Sequence, residues 1–157
     1  MVGTVIHSPI GPLTLEATAT GLRRVRFGTF EVVRLPSLHV EAAALQLSQY
    51  FAGRRRAFGL TLDISGTPFQ LGVWALLNTI PYGETRTYGE LAERLGDRRL
   101  ARAVGRANST NPVPIVWPCH RVIGQSGKLT GFRGGLNKKA FLLNHERRAA
   151  QPTLFQA

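Results

Sequence analysis

The chain has 157 residues, 43% of them hydrophobic, with 20 Lys+Arg against 9 Asp+Glu and a formal net charge of +11. That is enough apolar material for a packed core in one ordinary domain or two small ones, and it excludes a disordered chain. No apolar run approaches the ~20 residues of a membrane span, the N-terminal MVGTVIHSPIGP lacks a signal-peptide apolar core, and one cysteine excludes an internal disulfide and a multi-cysteine zinc site. A soluble, cytoplasmic protein of a reducing compartment is expected.

Val2–His7 and Leu13–Ala17 read as strands around the turn Ser8-Pro9-Ile10-Gly11-Pro12, and Leu22–Phe27 as a third, half-exposed strand with imperfect alternation. Leu38–Phe51 places Leu38, Ala42, Leu45, Leu47 and Phe51 near helical spacing, and Gly53 stops it. Ala57–Leu62 reads as a further strand. This part predicts a small unit of strands and one helix with no evident chemistry.

Near Ser65-Gly66-Thr67 the pattern turns helical. Thr67 is a good N-cap with Pro68 at N1, and Phe69, Val73, Leu76, Leu77 and Ile80 mark one apolar face before Pro81-Tyr82-Gly83. Thr87 can cap Tyr88–Leu95, with Glu90 completing a capping box, and Gly96 ends that helix. Arg98–Ser109 reads as the next helix, so the pair suggests a helix-turn-helix. Leu100, Ala103, Val104 and Ala107 should face a core. Ala101 and Gly105 leave a bare strip beside the row Arg98, Arg102, Arg106. That strip suits either close approach to a nucleic-acid groove or tight helix–helix packing. Asn111-Pro112-Val113-Pro114 ends the helix, a glycine-rich segment follows the cysteine, Lys138–Arg148 closes as a helix, and an irregular tail is expected after Ala149.

Charge is uneven: residues 1–67 carry +3 and residues 68–157 carry +8, with nine bases and no acid between Asp97 and Glu146. Such a stretch repels itself unless a polyanion is near, which favours nucleic acid over an anionic membrane; a merely solvated basic face is the bland alternative. A lone cysteine is usually a small buried hydrophobe. Here Pro118 stiffens its approach, and His120 and Arg121 set proton-accepting and cationic groups beside it, a context that favours thiolate. A water could join Cys119 to His120, and Glu146, the only acid after Asp97, is the C-terminal candidate to orient the imidazole.

The run Asn111-Pro112-Val113-Pro114-Ile115-Val116-Trp117-Pro118-Cys119-His120-Arg121-Val122-Ile123 resembles the active-site signature of the O6-alkylguanine-DNA alkyltransferases, the methylated-DNA–protein-cysteine methyltransferases. The resemblance covers nearly the whole chain: Ser8-Pro9-Ile10-Gly11-Pro12-Leu13, Thr67-Pro68-Phe69-Gln70 with Val73-Trp74, Ile80-Pro81-Tyr82-Gly83-Glu84-Thr85 with Thr87-Tyr88, Arg102-Ala103-Val104-Gly105, and Gly131-Phe132 through Glu146 all fall in the family's order. It implies an α+β two-domain protein. A small ribonuclease H-like α/β domain would span residues 1–66, and a mostly helical winged-helix/helix-turn-helix alkyltransferase domain residues 67–157.

The resemblance also implies a reaction: irreversible, single-turnover transfer of an alkyl group from O6-alkylguanine in double-stranded DNA, and from O4-alkylthymine, to Cys119 after the nucleotide is flipped out. His120 would take the thiol proton through a water, and Glu146 would orient it. Tyr88 would donate toward guanine N3, and Asn111 would brace the turn behind the cysteine. The carbonyls of Cys119 and Val122 would accept from the guanine amine, the Arg133 backbone N–H would donate to O6, and Phe132 would wall the pocket. Arg102 would enter the duplex from the minor groove, with Ala101, Ala103, Gly105, Arg106, Thr87 and Arg121 completing the DNA and substrate surface. No cofactor, metal or membrane is implied; a monomer is expected, with cooperative binding along DNA left open. Two positions depart from the family pattern. Phe132 replaces the usual Tyr, and Arg133 replaces a small residue at the pocket lip, where its side chain would either swing out to a phosphate or, the expectation adopted, restrict bulky O6-substituents. A damage sensor of the same family would lack the nucleophile that Cys119 supplies. A papain-type thiol hydrolase would need a better-placed distant base than His7 or His39, and a non-enzymatic winged-helix regulator leaves Pro118-Cys119-His120-Arg121 unexplained.

Overall fold

The computed structural model describes residues 1–151 and falls into two compact units, residues 1–67 with 111–116, and residues 68–110 with the chain from 117 onward. The first is organised by β2 (Leu13–Ala17), which lies between β1 (Val2–Ile6) and β3 (Leu22–Phe27) in an antiparallel sheet. A central strand buries both faces, and all five β2 residues are buried. Its two polar members are satisfied: Thr14 Oγ1 donates to the Gly28 carbonyl at 2.7 Å, and Glu16 takes Arg24 at 3.1 Å and Arg26 at 3.3 Å.

Helix α1 (Leu38–Phe51) packs on this sheet, capped by Ser37, whose Oγ accepts from the Val40 N–H at 3.3 Å. Its buried residues are Val40, Ala43, Leu47 and Tyr50. The expected apolar set was rotated: Leu38 and Leu45 are 82% and 60% exposed. The strand expected at 57–62 is absent but for one parallel bridge, Leu22 to Leu62. Upstream of it, the Gln46 side-chain amide takes both backbone groups of Gly59, at 2.9 and 3.0 Å, in place of a ladder. Gly21 permits the bridge, because a Cβ there would stand 2.7 Å from the Leu62 carbonyl carbon.

The second unit is helical. Helix α2 (Pro68–Leu77) starts at its proline and buries Val73, Trp74 and Leu77, and the Trp74 indole donates to the Ala107 carbonyl at 2.9 Å. Strand β4 (Arg86–Thr87) leads into α3 (Tyr88–Arg94), whose Thr87–Glu90 capping box is formed on both sides. The helix expected over 98–109 is two pieces. Asp97 caps a 3-10 turn at Arg98–Leu100, and α4 (Ala101–Ser109) follows. Strand β5 (Val122–Ile123) pairs in parallel with β4, and α5 (Leu136–Ala150) closes the unit. Among the described residues no helix is long and apolar enough to cross a membrane, and no group of three or more His, Cys, Asp or Glu is placed to hold a metal ion. The tail beyond Gln151 lies outside the described residues.

Candidate active site

The β4–β5 ladder, Arg86 opposite Val122 and Thr87 opposite Ile123, holds the start of α3 beside the short turn Cys119–Arg121. In that turn the Arg121 N–H donates to the Pro118 carbonyl at 3.0 Å, so three consecutive functional side chains leave one tight bend. Cys119 is 5% exposed and His120 is fully buried. Helix α5 carries Glu146 to the same place, its side chain buried.

Glu146 gathers the turn. Its Oε2 lies 2.7 Å from His120 Nε2, and its Oε1 accepts from Arg121 Nε at 2.8 Å and from the Gly83 N–H at 3.3 Å. Arg121 Nη2 adds a second contact at 3.1 Å, and Nη1 donates to the Ile80 carbonyl at 2.7 Å. A fork-shaped guanidinium on a buried carboxylate is the strong form of this interaction. Burial by itself raises the Glu146 pKa, but the hydrogen bonds from His120 and Arg121 outweigh it and hold the carboxyl far below the usual range.

An ionised Glu146 fixes the imidazole tautomer. Nε2 carries the proton it donates, and Nδ1 keeps its lone pair. That Nδ1 is buried and has no hydrogen-bond partner among the described residues. Burial lowers the His120 pKa below 6.5; the Glu146 contact raises it in part, and the positive charges of Arg121 and Lys139 lower it again. The result is a neutral imidazole next in sequence to a buried thiol, suited to accept a proton.

Helix α4 forms one wall of a cavity of about 550 Å³, with Tyr88 and the Thr130-Gly131 segment opposite Ala101, Arg102, Gly105 and Arg106. Gly105 leaves this wall without a side chain; a Cβ there would meet the Tyr88 ring at 3.8 Å, an ordinary van der Waals contact. Arg102 and Arg106 are exposed, and Ala101 and Ala103 are half-buried. Arg98 leaves the expected arginine row: it belongs to the 3-10 turn and pairs with Glu93 at 2.6 Å. The Tyr88 hydroxyl donates to the Thr130 carbonyl at 3.1 Å. Its pKa is raised, by burial first and then by the nearby Cys119 charge, while Thr130 and Asn108 pull it down. Cys119 is not itself in the cavity lining; Tyr88 is the residue that both lines the cavity and senses the sulfur.

A family model described as the DNA binding domain of 6-O-methylguanine DNA methyltransferase matches residues 68–148, and a second, its ribonuclease-like domain, matches residues 1–64. A methylated-DNA–protein-cysteine methyltransferase of Mycobacterium bovis is 51% identical over 158 residues, covering 96% of each chain. The chain belongs to the methylated-DNA–protein-cysteine methyltransferases. The crystal structure of the Mycobacterium tuberculosis O6-methylguanine methyltransferase, 48% identical, superposes with a TM-score of 0.87 over 98% of this chain and 96% of that one. The Mycobacterium tuberculosis OGT in complex with DNA, 47% identical, gives 0.87 over 96% and 95%.

Within a methyltransferase of this family the structure brings Cys119, His120, Glu146, Tyr88 and Val122 into one unit. Asn111 falls in the other unit, buried, with its Oδ1 accepting from the Val113 N–H at 3.0 Å. Four residues later Ile115 takes φ 74°, a left-handed conformation that costs a β-branched residue about 1–3 kcal/mol. Phe132 is half-buried, and the Arg133 side chain is exposed. Thr87 serves as the α3 cap, its hydroxyl accepting from the Glu90 N–H at 3.1 Å.

Arg121 corrects the sequence expectation. It was assigned to the DNA surface, but it is 7% exposed with its guanidinium spent on Glu146 and Ile80, so it is a positioning residue. The carbonyl acceptors expected for guanine are already engaged: Cys119 O by Asn108 Nδ2 at 3.2 Å, and Val122 O by Lys139 Nζ at 2.6 Å. Lys139 and Asn108 are the site residues that the sequence reading missed. Lys139 is fully buried and also donates to the Thr130 carbonyl at 2.7 Å, so it ties β5 to the segment facing Tyr88. Burial lowers its pKa to about 8, with the Cys119 charge opposing. A lysine among the bases of α5 reads as solvated, and no local signal marks it as buried.

Proposed function

We propose that this chain repairs alkylated DNA by moving the alkyl group of O6-alkylguanine, and of O4-alkylthymine, onto Cys119, once per molecule. The observation that carries this reading is the buried run Cys119–His120 with Glu146 on Nε2 and an unpartnered Nδ1, in a chain of this family. The Cys119 sulfur attacks the alkyl carbon as the carbon–O6 bond breaks. The thiol proton passes to His120 Nδ1 through a water. Tyr88 gives its proton to guanine N3, so guanine leaves neutral, and His120 then returns a proton to the tyrosinate. The thioether persists because a thiolate is a poor leaving group from an sp3 carbon.

The target carbon is stacked inside a duplex, so the nucleotide must first be extruded at a cost of a few kcal/mol. The exposed Arg102 enters the minor groove and takes the vacated place. Arg106 contacts phosphate, and the low Ala101–Gly105 wall admits the sugar-phosphate backbone. Backbone contacts without base reading suit a protein that must find damage in any sequence. The protein acts as a cytoplasmic monomer without a cofactor.

Incubation with a duplex holding one O6-methylguanine, followed by intact-protein mass spectrometry, tests the reading. One methyl group on wild type, mapped to Cys119 and absent from Cys119→Ser, is the expected result. Unmodified wild-type protein, or methylation that survives Cys119→Ser, refutes it.

A further inference from the structure

Arg54, Arg55 and Arg56 follow the end of α1 in three consecutive positions and take no part in the site above. The other four bases of residues 1–67 match that segment's four acids in number, so these three carry its whole excess of charge. Two of those acids are spent in and beside the sheet: Asp63 pairs with Arg23, and Glu16 with Arg24 and Arg26. Among the described residues no ion pair joins Arg54 or Arg55 to an acid. The backbone beneath them is fixed. The Gly53 N–H donates to the Tyr50 carbonyl at 3.0 Å and the Arg54 N–H to the Gln49 carbonyl at 2.9 Å, with Gly53 at φ 76° turning the chain. Gln49 Oε1 accepts from Arg55 Nε at 2.8 Å, and Arg55 Nη1 donates to the Ala57 carbonyl at 2.9 Å. Gln46, one turn earlier on α1, holds Gly59 at the far end of the loop. Arg55 is half-buried, and Arg54 and Arg56 are exposed.

Adjacent like charges repel, and a slack loop would spread them. Here two glutamines of one helix fix the loop and keep the cations together, an arrangement that a multivalent anion stabilises. Guanidinium forks suit phosphate oxygens, and a run of them suits a phosphodiester backbone, whose charge repeats along the duplex. An anionic membrane would also need an apolar anchor beside the bases. This loop offers none: Phe58 turns onto the buried Tyr50, ring centroids 5.7 Å apart, and the exposed positions hold Ala, Gly and Arg. We propose that the Arg54–Arg56 turn is a second DNA contact, a sequence-independent grip on the duplex backbone in which Arg54 and Arg56 supply the charges and Arg55 stiffens the turn. The surface lies outside residues 68–148, which match the family's DNA binding domain. Covalent linkage to that domain keeps it at high effective concentration toward any DNA the domain holds. The assignment rests on DNA as the partner and not on the alkyl transfer.

The test is the salt dependence of binding to an undamaged duplex, read by fluorescence anisotropy of the labelled DNA. The full chain is compared with the double variants Arg54→Gln/Arg56→Gln and Arg54→Lys/Arg56→Lys. Each phosphate neutralised contributes about 0.9 to the slope of log affinity against log salt. The glutamine variant should therefore bind more weakly at low salt, with a slope shallower by about 1.8, and the lysine variant should keep the wild-type slope. Unfolded protein rescales the active concentration and leaves the slope in place. A wild-type slope in the glutamine variant overturns the proposal, and so does an equal fall in the lysine variant, because charge would then not be the cause. Vesicles containing phosphatidylserine provide the second arm. If the glutamine variant loses vesicle binding while its slope on DNA is unchanged, the turn serves a membrane and the proposal fails. If wild type shows the expected slopes but accepts no methyl on Cys119 from an O6-methylguanine duplex, the alkyl-transfer reading fails and the second contact stands.

Discussion

Replacing Glu146 by Gln exchanges one carboxylate oxygen for an NH2 group of near-identical shape and removes one charge. In the wild type the carboxylate accepts from Arg121 Nε at 2.8 Å, Arg121 Nη2 at 3.1 Å, His120 Nε2 at 2.7 Å and the Gly83 N–H at 3.3 Å. A glutamine oxygen can serve one side of that set, and its NH2 must then face a donor on the other. With that oxygen turned to His120 and Gly83, the Arg121 guanidinium would keep its bond to the Ile80 carbonyl but lose its counter-charge. Removing one partner of a buried ion pair costs about 3–5 kcal/mol. For a chain of this size, roughly 2–4 °C per kcal/mol converts that to a fall in Tm of about 6–20 °C. The pH dependence gives the sign. The folded pKa of Glu146 is depressed, so its stabilisation is full above the ordinary value of 4.5 and is lost as pH falls below it toward the folded value. The gap between wild type and Glu146→Gln should therefore be widest near neutrality and close in acid. Thermal unfolding followed by circular dichroism across that range measures it. Alkylation of Cys119 should slow by about 10²-fold or more, because the base loses its orienting partner. A Tm within about 2 °C of wild type at neutral pH would show that the buried pair is not formed as described.

Other outcomes follow from the same geometry. Burial first, and Arg121 and Lys139 after it, hold His120 below its ordinary 6.5, so the folded protein resists protonation there; stability should decline as pH falls below 6.5, and less steeply in His120→Gln. Lys139 has a folded pKa of about 8 against an ordinary 10.5, so the unfolded chain holds the extra proton between those values; relative to Lys139→Met, wild-type stability in denaturant titrations should rise from pH 8 to 10.5. Arg102→Ala should slow methylation from a duplex by about tenfold or more while sparing reaction with a free alkylated guanine base, because it removes a group used in extrusion and not in the transfer. Arg133→Gly should raise the rate on an O6-benzyl lesion relative to an O6-methyl one; an unchanged ratio would show that this exposed side chain does not guard the pocket.

The elements were legible where a local rule sets them. Thr87 with Glu90, Pro68 at a helix start and Gly96 at φ 102° each mark a boundary that backbone chemistry dictates, and the boundaries fall there. The errors arose where a tertiary contact decided. Helix α1 has apolar residues on two faces, so periodicity alone could not tell Val40, Ala43, Leu47 and Tyr50 from Leu38 and Leu45; the sheet selected one set. Residues 57–62 have strand-like composition, yet Gln46 satisfies Gly59 from a helix, an exchange that no local pattern records. At the site, adjacency showed Cys119 and His120, and Glu146 stood out because no other acid follows Asp97. Arg121, Lys139 and Asn108 were invisible in their roles, because each is a polar residue that sequence statistics place in solvent and that the fold buries for a partner distant in the chain.

That burial explains how one carboxylate serves both Arg121 and His120 without making His120 a permanent imidazolium. With Glu146 alone, a buried His120 would be drawn toward the charged form, and a charged imidazole cannot take a proton. Arg121 occupies Oε1 and shares Oε2, so the carboxylate's charge is already compensated when His120 bonds it. Burial and the Arg121 and Lys139 charges then keep the ring neutral, while the geometric hold on Nε2 remains. The arrangement separates orientation from charge: Glu146 aims the base, and burial first, with Arg121 and Lys139 adding to it, lowers its basicity. Arg121→Gln would weaken the second while leaving part of the first. The expected consequence is a His120 pKa moved upward, seen as a shift to higher pH in the acid limb of Cys119 alkylation by a free base substrate. An acid limb that stays in place as the rate falls would mean that Arg121 contributes packing alone.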